Sequence, residues 1–275
     1  MISKVRRQQI IETLYSGLRL DGRRLEDFRS IEIKCGAIAN ADGSAEVRIG
    51  KTLVIAGVKT SIGTPFPDTP NMGILIINAE FLPIASPTFE PGPPDENAIE
   101  MARVIDRGLR RSEMIDLKQL CIVPGKAVWE IWVDIHALNH DGNLMDASAL
   151  ASVAALLTAK IPKAIVGESG EVKIDKSIRE RLPIRCIPAT VTVAKIGDKF
   201  VVDPCLDEEE IADAFVTSTF IGDKLCAVQK RGEKGLTVEE MLKSLQIAQR
   251  KAQELIMIVK EAVNLGKNQE GWYGR

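Results

Sequence analysis

The sequence predicts an α+β fold built from two pseudo-repeated halves, each with a sheet followed by helices. Short segments rich in β-branched residues are separated by turn residues such as Asp42-Gly43 and Gly50, a pattern typical of strands joined by tight connections. Segments in which apolar residues have helical spacing follow these strands. The order of strands and then helices occurs twice along the 275 residues, which favours helices packed on sheets.

The first half opens with a helix, predicted over residues 5–16 because Ile10, Ile11 and Leu14 have helical spacing before Gly17. Strands of an antiparallel sheet are predicted at 31–34, 46–49, 53–59 and 74–80. Asp95 is placed to cap a helix over 96–111.

A further strand is predicted over 127–138, followed by the turn Asp141-Gly142-Asn143. Residues 146–159 are then almost all apolar or small. This composition predicts a helix that is buried on all sides.

Pro162 and the segment 167–170 mark the predicted boundary, which divides the chain into residues 1–163 and 164–275. In the second half, strands are predicted at 189–195, 200–202, 215–220 and 225–229. A long helix follows. It opens with a capping box, Thr237 with Glu240, and is expected to stop at Gly266.

The composition limits the classes of function. The 36 Lys and Arg against 38 Asp and Glu leave a net charge of −2, which argues against strong independent binding of DNA or RNA. Any RNA contact must come from a few local arginines or be shared with another chain. No stretch has the roughly 18 apolar residues of a membrane span. The N-terminal residues lack the apolar core of a signal peptide, and the five cysteines are scattered, so a cytoplasmic protein is expected.

The helix predicted over 96–111 carries four arginines at positions i, i+4, i+7 and i+8, namely Arg103, Arg107, Arg110 and Arg111. They share one helical face. Ion pairs with Glu100 and Asp106 would make this an ordinary solvated face. Unpaired guanidinium groups in a row would suit RNA phosphates, which they can bind in a bidentate manner. Spacing alone leaves both interpretations open.

Two patterns raise the question of a metal ion. The acidic residues Asp203, Asp207, Glu208, Glu209 and Glu210 could bind Mg²⁺ through carboxylates, although most such runs are solvated loops. His136 and His140 fall on a predicted strand and in a turn, without a third ligand. No metal or other cofactor is therefore expected.

Several ordered segments resemble those of a known family: Arg19-Leu20-Asp21-Gly22-Arg23, Gly43-Ser44-Ala45-Glu46-Val47, the arginine helix, and Asp134 with Asp141-Gly142 before the Ala-rich helix. Together they resemble the RNase PH family of phosphate-dependent 3′→5′ exoribonucleases. The Pro-rich segment 89–97 is similar to that of the larger RNase PH-like subunit in the archaeal exosome ring.

The resemblance implies an RNase PH-like fold and a six-membered ring of three heterodimers. Catalytic and non-catalytic RNase PH-like subunits would alternate in this ring, and RNA-binding cap subunits would lie above it. Single-stranded RNA would be shortened by phosphate attack. Arg103, Arg107 and Arg110 stand where related chains place RNA-contacting arginines. Arg23 is expected to anchor the N-terminal segment through a carboxylate.

The sequence departs from the active members of the family at two places. Where they bind phosphate, just after the Asp-Gly turn, this chain has Leu144, Met145 and Asp146. Leucine and methionine side chains offer no hydrogen-bond donor. The Asp146 carboxylate is expected to lie at the helix N-terminus and repel phosphate.

The second departure concerns the two acids that active members carry six residues apart. These positions fall on Glu209 and Phe215, with Asp213 as an alternative in a shifted register. We therefore expect a non-catalytic subunit that contacts RNA phosphates. The alternatives are a phosphate-dependent exoribonuclease with an unusual pocket and a homomeric RNA-binding scaffold.

Overall fold

The computed structural model describes residues 2–167 and 171–263, and the predicted α+β fold is confirmed over these residues. In chain order the elements are α1 (Lys4–Tyr15), β1 (Ile31–Cys35), β2 (Gly43–Ile49), β3 (Thr52–Gly63), β4 (Ile74–Phe81), α2 (Glu96–Arg111), a 3₁₀ helix (Leu117–Leu120), β5 (Cys121–Val123), β6 (Ala127–Asn139), α3 (Leu144–Thr158), β7 (Lys160–Val166), β8 (Val172–Arg181), β9 (Ala189–Ile196), β10 (Lys199–Val202), α4 (Leu206–Ile211), β11 (Ala214–Ile221), β12 (Lys224–Arg231) and α5 (Val238–Ala262).

The first sheet has the strand order β1-β2-β3-β6-β4, with β5 paired to the end of β6. The predicted strands are confirmed, but the sheet is not antiparallel throughout, because β4 runs parallel to β6. Parallel neighbours require a crossover connection, and α2 lies in the segment that connects these two strands. Strand direction depends on that crossover, which the strand pattern alone does not reveal.

Helix α2 has the bounds that the sequence predicts, and the Asp95 side chain caps it by accepting a hydrogen bond from the Ala98 N–H at 2.8 Å. Its buried residues include Met101, Ile105 and Leu109, as expected from their spacing. The opposite face carries the arginines. The helix packs against β4 and approaches β12 of the second sheet.

Helix α3 lies at the centre of the molecule, in contact with β2 and β3 of the first sheet and with β9 of the second. The prediction of an all-round buried helix is confirmed, since nearly every residue from Leu144 to Leu157 is buried. Its close approach to β2 requires a glycine. A Cβ atom at Gly43 would lie 2.5 Å from the carbonyl oxygen of Ala155.

The second sheet is antiparallel, with the order β10-β9-β11-β12, and α5 packs against β9 and β11. The capping box of α5 is confirmed: the Thr237 hydroxyl accepts from the Glu240 N–H, and the Glu240 carboxylate accepts from the Thr237 N–H. The helix ends at Ala262, and Gly266 lies outside the described residues.

The boundary predicted at residues 163 and 164 lies within β7, which pairs with β8 in a two-stranded sheet that was not predicted. One continuous core joins residues of both halves, among them Val133, Leu150, Val193 and Ile247. The division into two halves stays a prediction. Over the described part of the chain, none of the helices combines the length and hydropathy needed to span a membrane.

Candidate functional site

A cavity of about 230 Å³ lies at the N-terminus of α3 and is lined by residues from both sheets. Three of the residues singled out by sequence, Leu144, Met145 and Glu209, line this cavity together. Leu144 and Met145 begin α3, and Glu209 lies on the short helix α4. Tertiary folding therefore joins the predicted phosphate position to the first predicted acid position.

The local backbone explains how α4 comes so close to α3. Gly142 has a φ of +86°, and a Cβ atom there would lie 2.5 Å from the carbonyl oxygen of Pro204. Asn143 follows with a φ of 52° and a ψ of 43°, a left-handed conformation that asparagine tolerates better than most residues. In this turn the Asn143 N–H points to the carboxylate of Glu209, a residue that lines the cavity.

The Glu209 carboxylate lies at this helix N-terminus, where Oε1 accepts a hydrogen bond from the backbone N–H of Asn143 at 2.9 Å. Burial raises the pKa of Glu209, while the Asn143 N–H and the positive charge of Arg231 act in the opposite direction. The sequence predicted that the Asp146 carboxylate would occupy this place at the N-terminus of α3, and that expectation is wrong. The carboxylate found there is that of Glu209.

Asp146 does not line the cavity. Its fully buried carboxylate turns toward β9, where it accepts hydrogen bonds from the Thr192 N–H at 3.0 Å and the Thr192 hydroxyl at 2.8 Å. The side-chain amide of Asn143 donates a third at 2.9 Å. Burial raises the pKa of Asp146 to about 7. Asp146 thus joins α3 to the second sheet, a role that its position in the first helical turn did not indicate.

The cavity contains little positive charge. Burial and the charges of Arg29 and Arg231 lower the pKa of His140 against the opposing effect of Asp141, which favours the uncharged imidazole. Its Nδ1 accepts a hydrogen bond from the Gly142 N–H at 3.3 Å, as a neutral imidazole can. Arg231 is the only Lys or Arg among the described lining residues, and its guanidinium lies 4.5 Å from the centre of the Phe215 ring.

Sequence reasoning missed Arg231 and His140 as cavity residues. Arg231 is the cross-strand neighbour of Phe215 in the β11–β12 pair. Strand register and the approach of β12 to α2 are tertiary properties, so no local signal in the sequence could have identified it.

The second predicted acid position does not reach the cavity. Phe215 is buried in a smaller core cluster with residues of α1 such as Ile10 and Leu14. The alternative acid, Asp213, accepts a hydrogen bond from the Gly197 N–H at 2.9 Å and forms an ion pair with Lys234 at 2.7 Å. Partial burial raises the pKa of Asp213, but the contacts with Lys234 and Gly197 outweigh this and lower it overall. A shifted register therefore does not place an acid beside Glu209.

The four arginines of α2 are all exposed on the outer face of the helix, as predicted, but their partners differ. Arg110 forms the expected ion pair with Asp106, at 2.6 Å, and also donates to the Leu75 carbonyl. Arg107 donates to the amide oxygen of Gln229 on β12 at 3.1 Å.

The other two arginines are less constrained. Arg103 and Arg111 make no hydrogen bond or ion pair with any residue in the two described ranges. The possible pair between Glu100 and Arg103 is not formed, and Glu100 instead accepts from the side-chain amide of Gln229 at 3.3 Å. The face is therefore only partly neutralised by acids.

The acidic run does not form a solvated loop, because Asp203 and Glu208 are buried. Asp203 is buried and accepts hydrogen bonds from Arg23 at 3.0 Å and from Arg29 at 2.7 Å, which confirms that Arg23 anchors the N-terminal segment. Glu208 is buried against Arg19, whose Nε donates to it at 2.8 Å. Within the described residues, no group of three or more His, Cys, Asp or Glu side chains is arranged to bind a metal.

Comparison with known proteins agrees with this architecture. Residues 27–162 match the model of the 3′ exoribonuclease family (RNase PH), domain 1, and residues 186–251 match domain 2 of that family. The fold and the matched domains define a member of the RNase PH family, and the chain belongs to it.

Individual relatives and solved structures are similar to this chain over nearly its whole length. The exosome complex component Rrp42 of Pyrococcus abyssi is 49% identical over 270 residues, which cover 97% of this chain and 98% of the relative. The solved Archaeoglobus fulgidus exosome with RNA bound to the active site contains a chain with 44% identity and a TM-score of 0.84. The match covers 91% of this chain and 96% of that one. A chain of a solved archaeal exosome core matches at 40% identity and a TM-score of 0.82, over 93% of this chain and 96% of the other.

Proposed function

We propose that this chain is a non-catalytic subunit of an archaeal exosome, a complex that degrades RNA from the 3′ end in the cytoplasm. It pairs with a catalytic RNase PH-like subunit, and three such heterodimers form a six-membered ring beneath RNA-binding cap subunits. The chain supports the neighbouring active site and contacts phosphates of single-stranded RNA. The near full-length similarity to Rrp42 exosome components supports membership of such a complex.

The observation that carries the non-catalytic assignment is the contact between Glu209 and the N-terminus of α3. Helix N-termini attract anions, and an attacking phosphate would need this position. Here the position already has a carboxylate, Leu144 and Met145 contribute no side-chain donor, and the lowered pKa of His140 favours its uncharged form. These features disfavour phosphate binding, and neither Phe215 nor Asp213 places a second acid beside Glu209.

The contact with RNA is proposed for Arg103, Arg107, Arg110 and Arg111. Their common exposed face can follow a phosphate backbone, because guanidinium groups bind phosphate oxygens bidentately. A chain with a net charge of −2 would bind RNA weakly by itself. Such a chain is suited to supply part of a composite site in a ring.

One observation favours the alternative that the chain is itself a phosphate-dependent exoribonuclease. Arg231 lines the cavity, and the backbone N–H groups of Leu144, Met145 and Asp146 make no hydrogen bond with any described residue. A phosphate bound there would require the Glu209 carboxylate to be protonated or displaced.

A phosphorolysis assay separates the two functions. The purified chain, its complex with a catalytic RNase PH-like subunit, and that subunit alone are incubated with short single-stranded RNA and inorganic phosphate, and release of nucleoside diphosphates is measured. We expect release from the complex and none from the chain alone. Turnover by the chain alone that is lost in Arg231→Ala would establish the alternative, whereas failure to form a complex would contradict the proposed function.

A further inference from the structure

The side-chain amide of Gln229 connects two residues of α2. Its oxygen accepts a hydrogen bond from Arg107 Nη1 at 3.1 Å, and its nitrogen donates to Glu100 Oε1 at 3.3 Å. Glu100 and Arg107 are seven residues apart, two turns along the same helix. Gln229 lies on β12 of the second sheet, so this amide reaches Arg107 from outside the helix.

The chemistry of the partner matters for a phosphate contact. An amide oxygen restricts the positions of a guanidinium group but carries no net charge. A carboxylate would restrict the group and also neutralise it. Arg110 illustrates the second case, because Asp106 pairs with it at 2.6 Å. Arg107 is therefore the one arginine of this face, within the described residues, that a side chain positions without cancelling its charge.

Five N–H donors belong to a guanidinium group, and the bond to Gln229 uses one of them. The remaining donors of Arg107 make no hydrogen bond with any residue that the structure describes, which leaves them available for a bidentate contact with phosphate oxygens. Fixing the side chain beforehand also reduces the rotamer entropy that is lost on binding, and for long side chains this loss is substantial.

We propose that Gln229 is a positioning residue for RNA: it orients Arg107 toward the phosphate backbone while leaving its charge uncompensated. The inference rests on the proposed function, since it assumes that Arg107 contacts RNA in the assembled complex. It adds a residue of β12, with no charge of its own, to a site otherwise made of arginines on α2.

The test uses the complex of this chain with a catalytic RNase PH-like subunit and a fluorescein-labelled oligoadenylate as probe. Binding is measured by fluorescence anisotropy over a range of KCl concentrations. Gln229→Ala should weaken binding about 3- to 10-fold, the effect expected for one lost hydrogen bond. Gln229→Glu should weaken it as well and also lower the salt dependence by up to about 0.7 in the slope of log K against log salt, because Arg107 is then neutralised.

Two further variants exclude a general structural effect. In the Arg107→Ala background, Gln229→Ala should cause no additional loss, because Gln229 acts through Arg107. Gln246→Glu makes the same change of charge at an exposed position on α5 and should bind RNA as the wild type does.

The outcomes distinguish this inference from the proposed function. If Arg107→Ala weakens binding but Gln229→Ala does not, or if the two losses are additive, the positioning role is wrong and the RNA contact stands. If Arg107→Ala binds RNA with unchanged affinity, both the contact and its positioning are overturned.

Discussion

The carboxylate of Glu209 accepts a hydrogen bond from the backbone N–H of Asn143 at 2.9 Å, so an internal anion lies at the N-terminus of the central helix α3. The two residues are 66 positions apart in the sequence and meet because Gly142 allows the segment 204–206 to approach closely. A negative group at this end of a helix is electrostatically favourable. The interaction that stabilises α3 is thus the one that disfavours an external anion.

The contact between Glu209 and Asn143 predicts how the protein responds to inorganic phosphate. Inorganic phosphate should leave the thermal midpoint of the wild-type chain unchanged relative to chloride at equal ionic strength. Glu209→Gln retains an oxygen acceptor for the Asn143 N–H but removes the negative charge. Phosphate should therefore raise the midpoint of this variant, as a ligand does when it binds only the folded state.

Differential scanning fluorimetry at increasing phosphate concentration measures both midpoints. Arg231→Ala combined with Glu209→Gln provides the control and should lose the increase. A phosphate-dependent increase in the thermal midpoint of the wild type would contradict the inference that the Glu209 carboxylate already occupies the anion position at the N-terminus of α3.

Asp146→Asn should change how stability depends on pH. Burial raises the pKa of Asp146 from its ordinary 3.8 to about 7 in the folded protein. Between these values the folded state binds a proton that the unfolded state has released. The wild type therefore loses stability as pH rises through this window, and the loss is complete above the folded pKa.

Asparagine does not titrate and can still bond to Thr192 and Asn143, so the variant lacks this loss. The free energy of unfolding of Asp146→Asn minus that of the wild type should increase with pH, by at most about 1.4 kcal/mol per pH unit. Urea unfolding of both proteins at about pH 5, 6, 7 and 8 tests this slope. A difference that is constant with pH would show that Asp146 is ionised throughout.

Asp213→Asn provides a comparison in which the pH dependence of stability has the opposite sign. The pKa of Asp213 is lowered in the folded protein by its contacts with Lys234 and Gly197, despite the opposing effect of burial. Its contribution to stability is present above the ordinary pKa of an aspartate and is lost as pH falls through the lowered value. The wild type should therefore exceed Asp213→Asn in stability at neutral pH and approach it in acid.

Glu208→Ala should be far more destabilising than Asp207→Ala, although the two residues are adjacent in the first turn of α4. Glu208 is the partner of Arg19, which is 2% exposed, and removal of one member of a buried pair costs about 3–5 kcal/mol. Asp207 pairs with Arg6 at 3.0 Å on the surface, where such pairs contribute about 0–1 kcal/mol. Urea unfolding at neutral pH measures both effects, and equal losses would contradict the buried pairing.

The arginines of α2 should differ in their contribution to RNA affinity. Arg107→Ala removes a charge that forms no ion pair with any acid in the described ranges, and it should weaken RNA binding by the complex about tenfold. Arg110→Ala removes a charge that Asp106 already compensates, so its effect should be smaller and should include some loss of helix stability. Anisotropy titrations at several KCl concentrations compare the RNA affinities of the two variants. A larger effect of Arg110→Ala would show that its ion pair opens to bind RNA.

The arginine face was predictable because helical periodicity alone sets which residues share a face. The partners of these arginines were only partly predictable: the Asp106–Arg110 pair follows from i, i+4 spacing, whereas Gln229 comes from a strand more than a hundred residues away. The two-stranded β7–β8 sheet was missed. Its side chains are largely exposed on both strands, and apolar and polar residues alternate only from Val172 to Asp175, so the sequence carries little of the pattern that marks a half-buried strand.

By itself, the amino-acid sequence determined most helices and strands, the exposed arginine row and the absence of side-chain donors at Leu144 and Met145. These are local properties, set by periodicity, turn residues and the chemistry of single side chains. Three features were decided only by the tertiary structure. The Glu209 carboxylate reaches the N-terminus of α3, Asp146 is buried against β9, and Arg231 is the cation that lines the cavity among the described residues. Those outcomes depend on the packing of α3 between two sheets and on strand register, which bring distant residues within hydrogen-bonding distance and which no local pattern encodes.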